Sequence, residues 1–124
     1  MLADSDAMAT IAVKDLAAAK KFYVEKIGLP LVSEQMGVLT FKSGTSKITV
    51  YVSQYAGTNK ATSATWVVSD VEPIVDSLKS KGVKFEHYDN LPGLTRKGDI
   101  HVAGSFKGAW LKDPDGNILH ILSV

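Results

Sequence analysis

The amino-acid sequence predicts an α+β domain built from two tandem β-α-β-β-β units, on three observations. A segment repeats: Ala9-Thr10-Ile11-Ala12-Val13-Lys14-Asp15-Leu16 returns as Ala64-Thr65-Trp66-Val67-Val68-Ser69-Asp70-Val71, 55 residues on when counted from Ala9 to Ala64, and a duplication organises everything built on it. Each copy reads as a β-branched strand, an aspartate placed to cap a helix, a helical run ending at glycine, and then extended segments. At 124 residues the chain is long enough for one hydrophobic core and too short for two independent ones.

The elements follow in order. After Asp15, the apolar residues Leu16, Ala19, Phe22, Tyr23 and Ile27 keep helical spacing up to Gly28; after Asp70, Val71, Ile74, Val75 and Leu78 do so up to Gly82, with Pro73 accommodated in the first turn. Extended runs are expected at 29–34, 38–42 and 47–53 in the first unit and at 83–88, 108–112 and 117–123 in the second. The expected bounds are about 8–55 for the first unit, a small, polar, flexible linker at 56–62, and about 63–124 for the second, together one domain. The stretch 89–98 reads as irregular and fits either a surface excursion or a lid over a site.

Composition excludes several classes. Fourteen Lys and Arg against 13 Asp and Glu leave a net charge of +1, too weak a field to hold nucleic acid or an anionic membrane surface. No apolar run is long enough to cross a bilayer, and residues 1–7 do not resemble a secretory signal. The absence of cysteine removes disulfides, thiolate catalysis and thiolate metal ligands, and fits a reducing compartment. The expectation is a cytoplasmic protein with no nucleic-acid or membrane partner.

The duplicated units, Phe22-Tyr23 and Gly28-Leu29 at the first helix, and Asp113-Pro114-Asp115-Gly116-Asn117 before the last strand resemble the vicinal oxygen chelate superfamily over most of the chain. That superfamily includes glyoxalase I, extradiol dioxygenases, fosfomycin resistance enzymes and bleomycin resistance proteins. The resemblance implies curved mixed sheets around a cavity for a small molecule, and a homodimer, with the sequence leaving open whether units pair within a chain or between chains. It also implies metal ligands at four places, which here carry Met8, Thr49, Ser63 and His120. Only His120 is an ordinary ligand for a divalent ion when thiolate is absent, so no metal site and no cofactor are expected. His87 and His101 lack the spacing that would build a different one.

If Met8 and Ser63, the positions that the resemblance marks, point inward, alternation puts Thr10 on the same face; Thr49 and Tyr51 then share the inner face of their strand, with Ile48, Val50 and Val52 under the first helix and Trp66 on the helix side. If Pro114, Asp115 and Gly116 form a three-residue loop with a bulge, Trp110 stands opposite His120; a two-residue loop would put Trp110 on the other face. The resemblance supports the first. The ligand-binding set expected is therefore Met8, Thr10, Thr49, Tyr51, Ser63, Trp110 and His120, suited to a planar or hydrophobic ligand. Metal-independent binding or sequestration is the leading expectation. The alternatives are a metal-dependent enzyme of glyoxalase or dioxygenase type and a metal-free enzyme with His120 as general base.

Overall fold

The computed structural model describes all 124 residues. After a 3-10 turn at Leu2–Asp4, strand β1 (Ala9–Val13) leads into α1 (Leu16–Lys21), followed by β2 (Leu31–Gln35), β3 (Val38–Ser43) and β4 (Ser46–Val52). The second half runs β5 (Thr62–Val67), α2 (Val71–Ser80), β6 (Phe85–Glu86), β7 (Thr95–Lys97), β8 (Ile100–Ala103), β9 (Phe106–Lys112) and β10 (Ile118–Ser123). No helix is long and apolar enough to cross a membrane.

Both helices start as expected. The Asp15 carboxylate accepts from the Ala17 and Ala18 amides at 2.9 and 3.2 Å, and that of Asp70 from the Glu72 amide at 3.2 Å, satisfying donors that lack an intrahelical partner. The first helix differs from expectation in its second half, where Phe22–Ile27 widens into a π-helical segment before Gly28 closes it at φ 83°. Apolar spacing does not distinguish that wider turn from an α-helix.

The strands form two sheets, in the orders β1-β4-β3-β2 and β5-β10-β9-β8-β7. In each, the strand before the helix pairs in parallel with the last strand of its half. The duplication holds residue by residue. Ala9, Thr10, Ile11 and Ala12 face Ile48, Thr49, Val50 and Tyr51; their repeats Ala64, Thr65, Trp66 and Val67 face Leu119, His120, Ile121 and Leu122.

Two parts of the second half depart from the sequence reading. The run 83–88 keeps only β6 as strand, and the segment expected to be irregular contains β7, which pairs with β8 through a turn at Gly98, φ 63°. Thr95-Arg96-Lys97 is short, polar and at a sheet edge, so it carries none of the alternation that marks a half-buried strand. The linker is also more ordered than its composition implied. Ala56 is buried, and a Cβ on Gly57 would fall 1.9 Å from the Asp115 carbonyl oxygen, so only glycine allows this approach. Val52, expected beneath the helix, is 53% exposed because it is the last residue of its strand, whereas Ile48 and Val50 are buried.

One core serves both halves, with Ile11, Tyr23, Leu39 and Phe41 from the first and Val75, Leu111, Leu119 and Ile121 from the second. Trp66 packs partly buried against it and donates its indole N–H to Ser43 Oγ at 2.9 Å, across the halves. A buried carboxylate makes the second link. Asp113 Oδ2 accepts from the Tyr23 hydroxyl and from Asn117 Nδ2, both at 2.8 Å, while Oδ1 accepts from the Asp115 and Asn117 amides at 3.0 and 2.9 Å. Asn117 Nδ2 also donates to the Ala12 carbonyl at 2.7 Å. Burial and the neighbouring Asp113 charge push the Tyr23 phenol far above its ordinary pKa, so it stays protonated as a donor. Tyr23→Phe is expected to lower stability by about 1.5–3 kcal/mol, the usual worth of a hydrogen bond to a charged group. An unchanged urea midpoint would show that this bond contributes nothing.

Candidate functional site

The β9–β10 hairpin sets the site. The Asp113 amide donates to the Asn117 carbonyl and the Gly116 amide to the Asp113 carbonyl, both at 3.0 Å, and Gly116 takes φ 89°. This is the three-residue loop whose last position needs a left-handed backbone. It places Trp110 opposite His120, as the bulged alternative expected. Their rings stack in parallel, 4.1 Å between centroids with 1° between planes.

Three further rings join them. His101 meets Trp110 edge-to-face at 4.8 Å, Tyr88 does so at 5.4 Å, and Phe106 lies 6.2 Å from His120. His101 is fully buried, and its Nε2 accepts the Tyr88 amide at 2.9 Å, which puts the proton of the neutral imidazole on Nδ1. His120 is buried and its Nε2 has no hydrogen-bond partner. That nitrogen is pressed over Gly108, where a Cβ would come within 2.8 Å of both Nε2 and the Phe106 ring. Burial holds both imidazole pKa values below the ordinary histidine value, and the nearby His101 lowers His120 further.

Beside this cluster, on the sheet face turned away from α2, opens a cavity of about 730 Å³. Trp110, Tyr88 and Leu91 line it, together with Thr62 and the linker residues Gly57 and Lys60. Its size suits a small organic ligand. Of the seven residues expected to bind ligand, only Trp110 lines it. His120 sits behind Trp110. A bulge in the β5–β10 pairing, where Ile118 faces Thr62 but Leu119 faces Ala64, brings Thr62 rather than Ser63 to this wall. Trp110 Nε1 donates to Thr62 Oγ1 at 3.4 Å.

The other four residues belong to the first half and stand apart from this cavity. Met8, Thr10 and Tyr51 are exposed, and Thr49 Oγ1 donates to Thr10 Oγ1 at 3.1 Å. Nothing in the sequence pointed to Lys60, whereas Leu91 belongs to the stretch 89–98 read as a surface excursion or a lid. Tyr88 and His101 flank the stretch read as irregular, and their meeting depends on the β8–β9 pairing of His101 with Gly108. The residues present do not fit a divalent ion: nowhere do three His, Asp or Glu side chains converge.

Comparison with known proteins agrees with the architecture. Residues 7–121 match the profile of the Glyoxalase/Bleomycin resistance protein/Dioxygenase superfamily. The chain belongs to that superfamily. No curated protein sequence matches it. Among solved structures, it resembles a lactoylglutathione lyase from Agrobacterium tumefaciens, with a TM-score of 0.71 and 18% identity over 97% of this chain and 93% of that one. It likewise resembles a genomically encoded fosfomycin resistance protein from Listeria monocytogenes, with a TM-score of 0.73 and 13% identity over 98% and 93%. A third is TnmS3, an antibiotic binding protein from Streptomyces, with a TM-score of 0.62 and 23% identity over 94% and 92%. At these identities the likeness is one of fold.

The depressed imidazoles imply a pH dependence with a definite sign. A histidine whose folded pKa lies below its unfolded value of about 6.5 takes up its proton more readily when unfolded. Its contribution is fully present above that value and is lost as pH falls through it. The urea midpoint is therefore expected to drop on acidification from pH 7 towards 5. His120→Gln should flatten that drop, and an equally steep profile in the variant would rule out His120 as a source.

Proposed function

We propose that this protein binds and sequesters a small planar or hydrophobic organic molecule without a metal ion. The observation that carries the reading is the open cavity walled by Trp110 and Tyr88, whose rings are braced from behind by His120 and His101. A braced aromatic wall offers apolar contact without the entropy loss of ordering flexible side chains. The structural neighbour described as an antibiotic binding protein supports the same reading, as a protein of this fold that binds a small molecule.

The enzymatic alternatives find less support. A general base must reach the proton it removes, yet His120 Nε2 is packed against Gly108 behind Trp110. The Met8, Thr49 and Ser63 side chains supply no ordinary ligand for the ion of a glyoxalase or dioxygenase type of reaction. A homodimer belongs to this proposal too. Met8, Tyr51 and Val67 expose apolar surface that a second copy would cover, and sedimentation velocity tests it. The cysteine-free sequence supports a cytoplasmic location.

A thermal-shift screen of aromatic compounds is expected to yield ligands whose effect is unchanged by chelator, and Trp110→Ala should weaken them at least about tenfold, in line with the loss of a central aromatic anchor. Binding that requires added Zn, Ni, Mn or Fe would replace this reading with a metalloenzyme.

A further inference from the structure

We infer that the molecule held in this cavity is an aromatic monoanion whose negative group is met by Lys60; the inference rests on the cavity being the binding site. Three charged side chains line the cavity: Lys60, Glu86 and Lys112. Glu86 and Lys112 form an ion pair with each other at 3.3 Å, so their charges largely cancel. None of the ion pairs in the structure includes Lys60. The lining therefore carries one positive charge without an ion-pair partner, together with an aromatic surface. Burial, with a contribution from Glu86, raises the Tyr88 phenol above its ordinary pKa, so this hydroxyl adds no negative charge at neutral pH.

The backbone that carries Lys60 is held in place on both sides. Upstream, Gly57 is pressed against the Asp115 carbonyl, and Thr58 Oγ1 donates to the Tyr55 carbonyl at 2.7 Å. Downstream, the Ala61 amide donates to Asn59 Oδ1 at 3.0 Å. With its oxygen occupied, the Asn59 amide presents its NH2 group, a second donor for an oxyanion at the cavity wall. A carboxylate on an aromatic ring satisfies both features, with its ring against Trp110 and Tyr88 and its oxygens towards Lys60 and Asn59. A neutral ring meets only the first feature, and an ammonium group is repelled.

The test is equilibrium dialysis of the intact protein against three probes of one shape: naphthoate, naphthalenemethanol and naphthylmethylammonium. Naphthoate is expected to bind about three- to fivefold more tightly than the alcohol, the scale of an exposed ion pair, with the preference shrinking as salt is raised. Lys60→Gln should abolish the preference for the acid over the alcohol, and Trp110→Leu should weaken acid and alcohol alike. Equal affinity for acid and alcohol, a preference for the ammonium, or a preference that survives Lys60→Gln overturns the assignment of charge and leaves the cavity as the binding site. Binding of none of the three overturns both.

Discussion

The architecture depends on the buried carboxylate of Asp113. A charged group removed from water must find donors within the protein, and Asp113 finds four: the Tyr23 hydroxyl, Asn117 Nδ2, and the Asp115 and Asn117 amides. Two of these are amides of the hairpin loop and shape it from within. Tyr23 comes from the π-helical end of the first helix, and Asn117 reaches on to the Ala12 carbonyl of β1. The loop is thereby tied to a helix and a strand of the other half. The linker meets it as well, through Gly57 and the Asp115 carbonyl. Because the loop sets the register of β9 against β10, the same carboxylate determines that Trp110 and His120 face each other.

The duplicated halves show how one backbone carries two different surfaces. Thr10, Thr49 and Thr40 stand side by side across β1, β4 and β3. The corresponding row across β5, β10 and β9 is Thr65, His120 and Trp110. In the first row the side chains are small, and two of them satisfy each other by a hydroxyl–hydroxyl bond. In the second, large rings stack and draw in Tyr88, His101 and Phe106 from an inserted hairpin and its flanks. The difference between the two surfaces thus arises from side chains on a repeated frame. Gly108 is part of that difference, since its missing side chain is what admits the His120 ring.

How far the site was legible follows from the range of each interaction. The repeat, the capping aspartates and the alternation on β4 are local signals, and they placed the helix starts and the buried Ile48 and Val50 correctly. The Trp110–His120 pair was also within reach, because a loop of known geometry transmits register along two strands. Thr62 lines the cavity where Ser63 was expected because of a bulge, which shifts one strand by one residue and leaves no mark in the hydrophobic pattern. The hairpin of β7 and β8 was hidden because its first strand is a polar edge, stabilised by pairing rather than by burial.

By itself the sequence determined the fold class, the two-fold internal repeat, the poverty of metal-ligating residue types at four corresponding positions, and the identity of one aromatic wall of the cavity. Only the tertiary structure decided which half carries the cavity, that Lys60, Tyr88 and Leu91 join Trp110 there, and that His120 is sealed behind it. The reason is physical. Strand period and turn chemistry act over a few residues, whereas a cavity forms where the linker, the β6 region and β9 converge, and the packing that brings them together has no short-range trace in the chain.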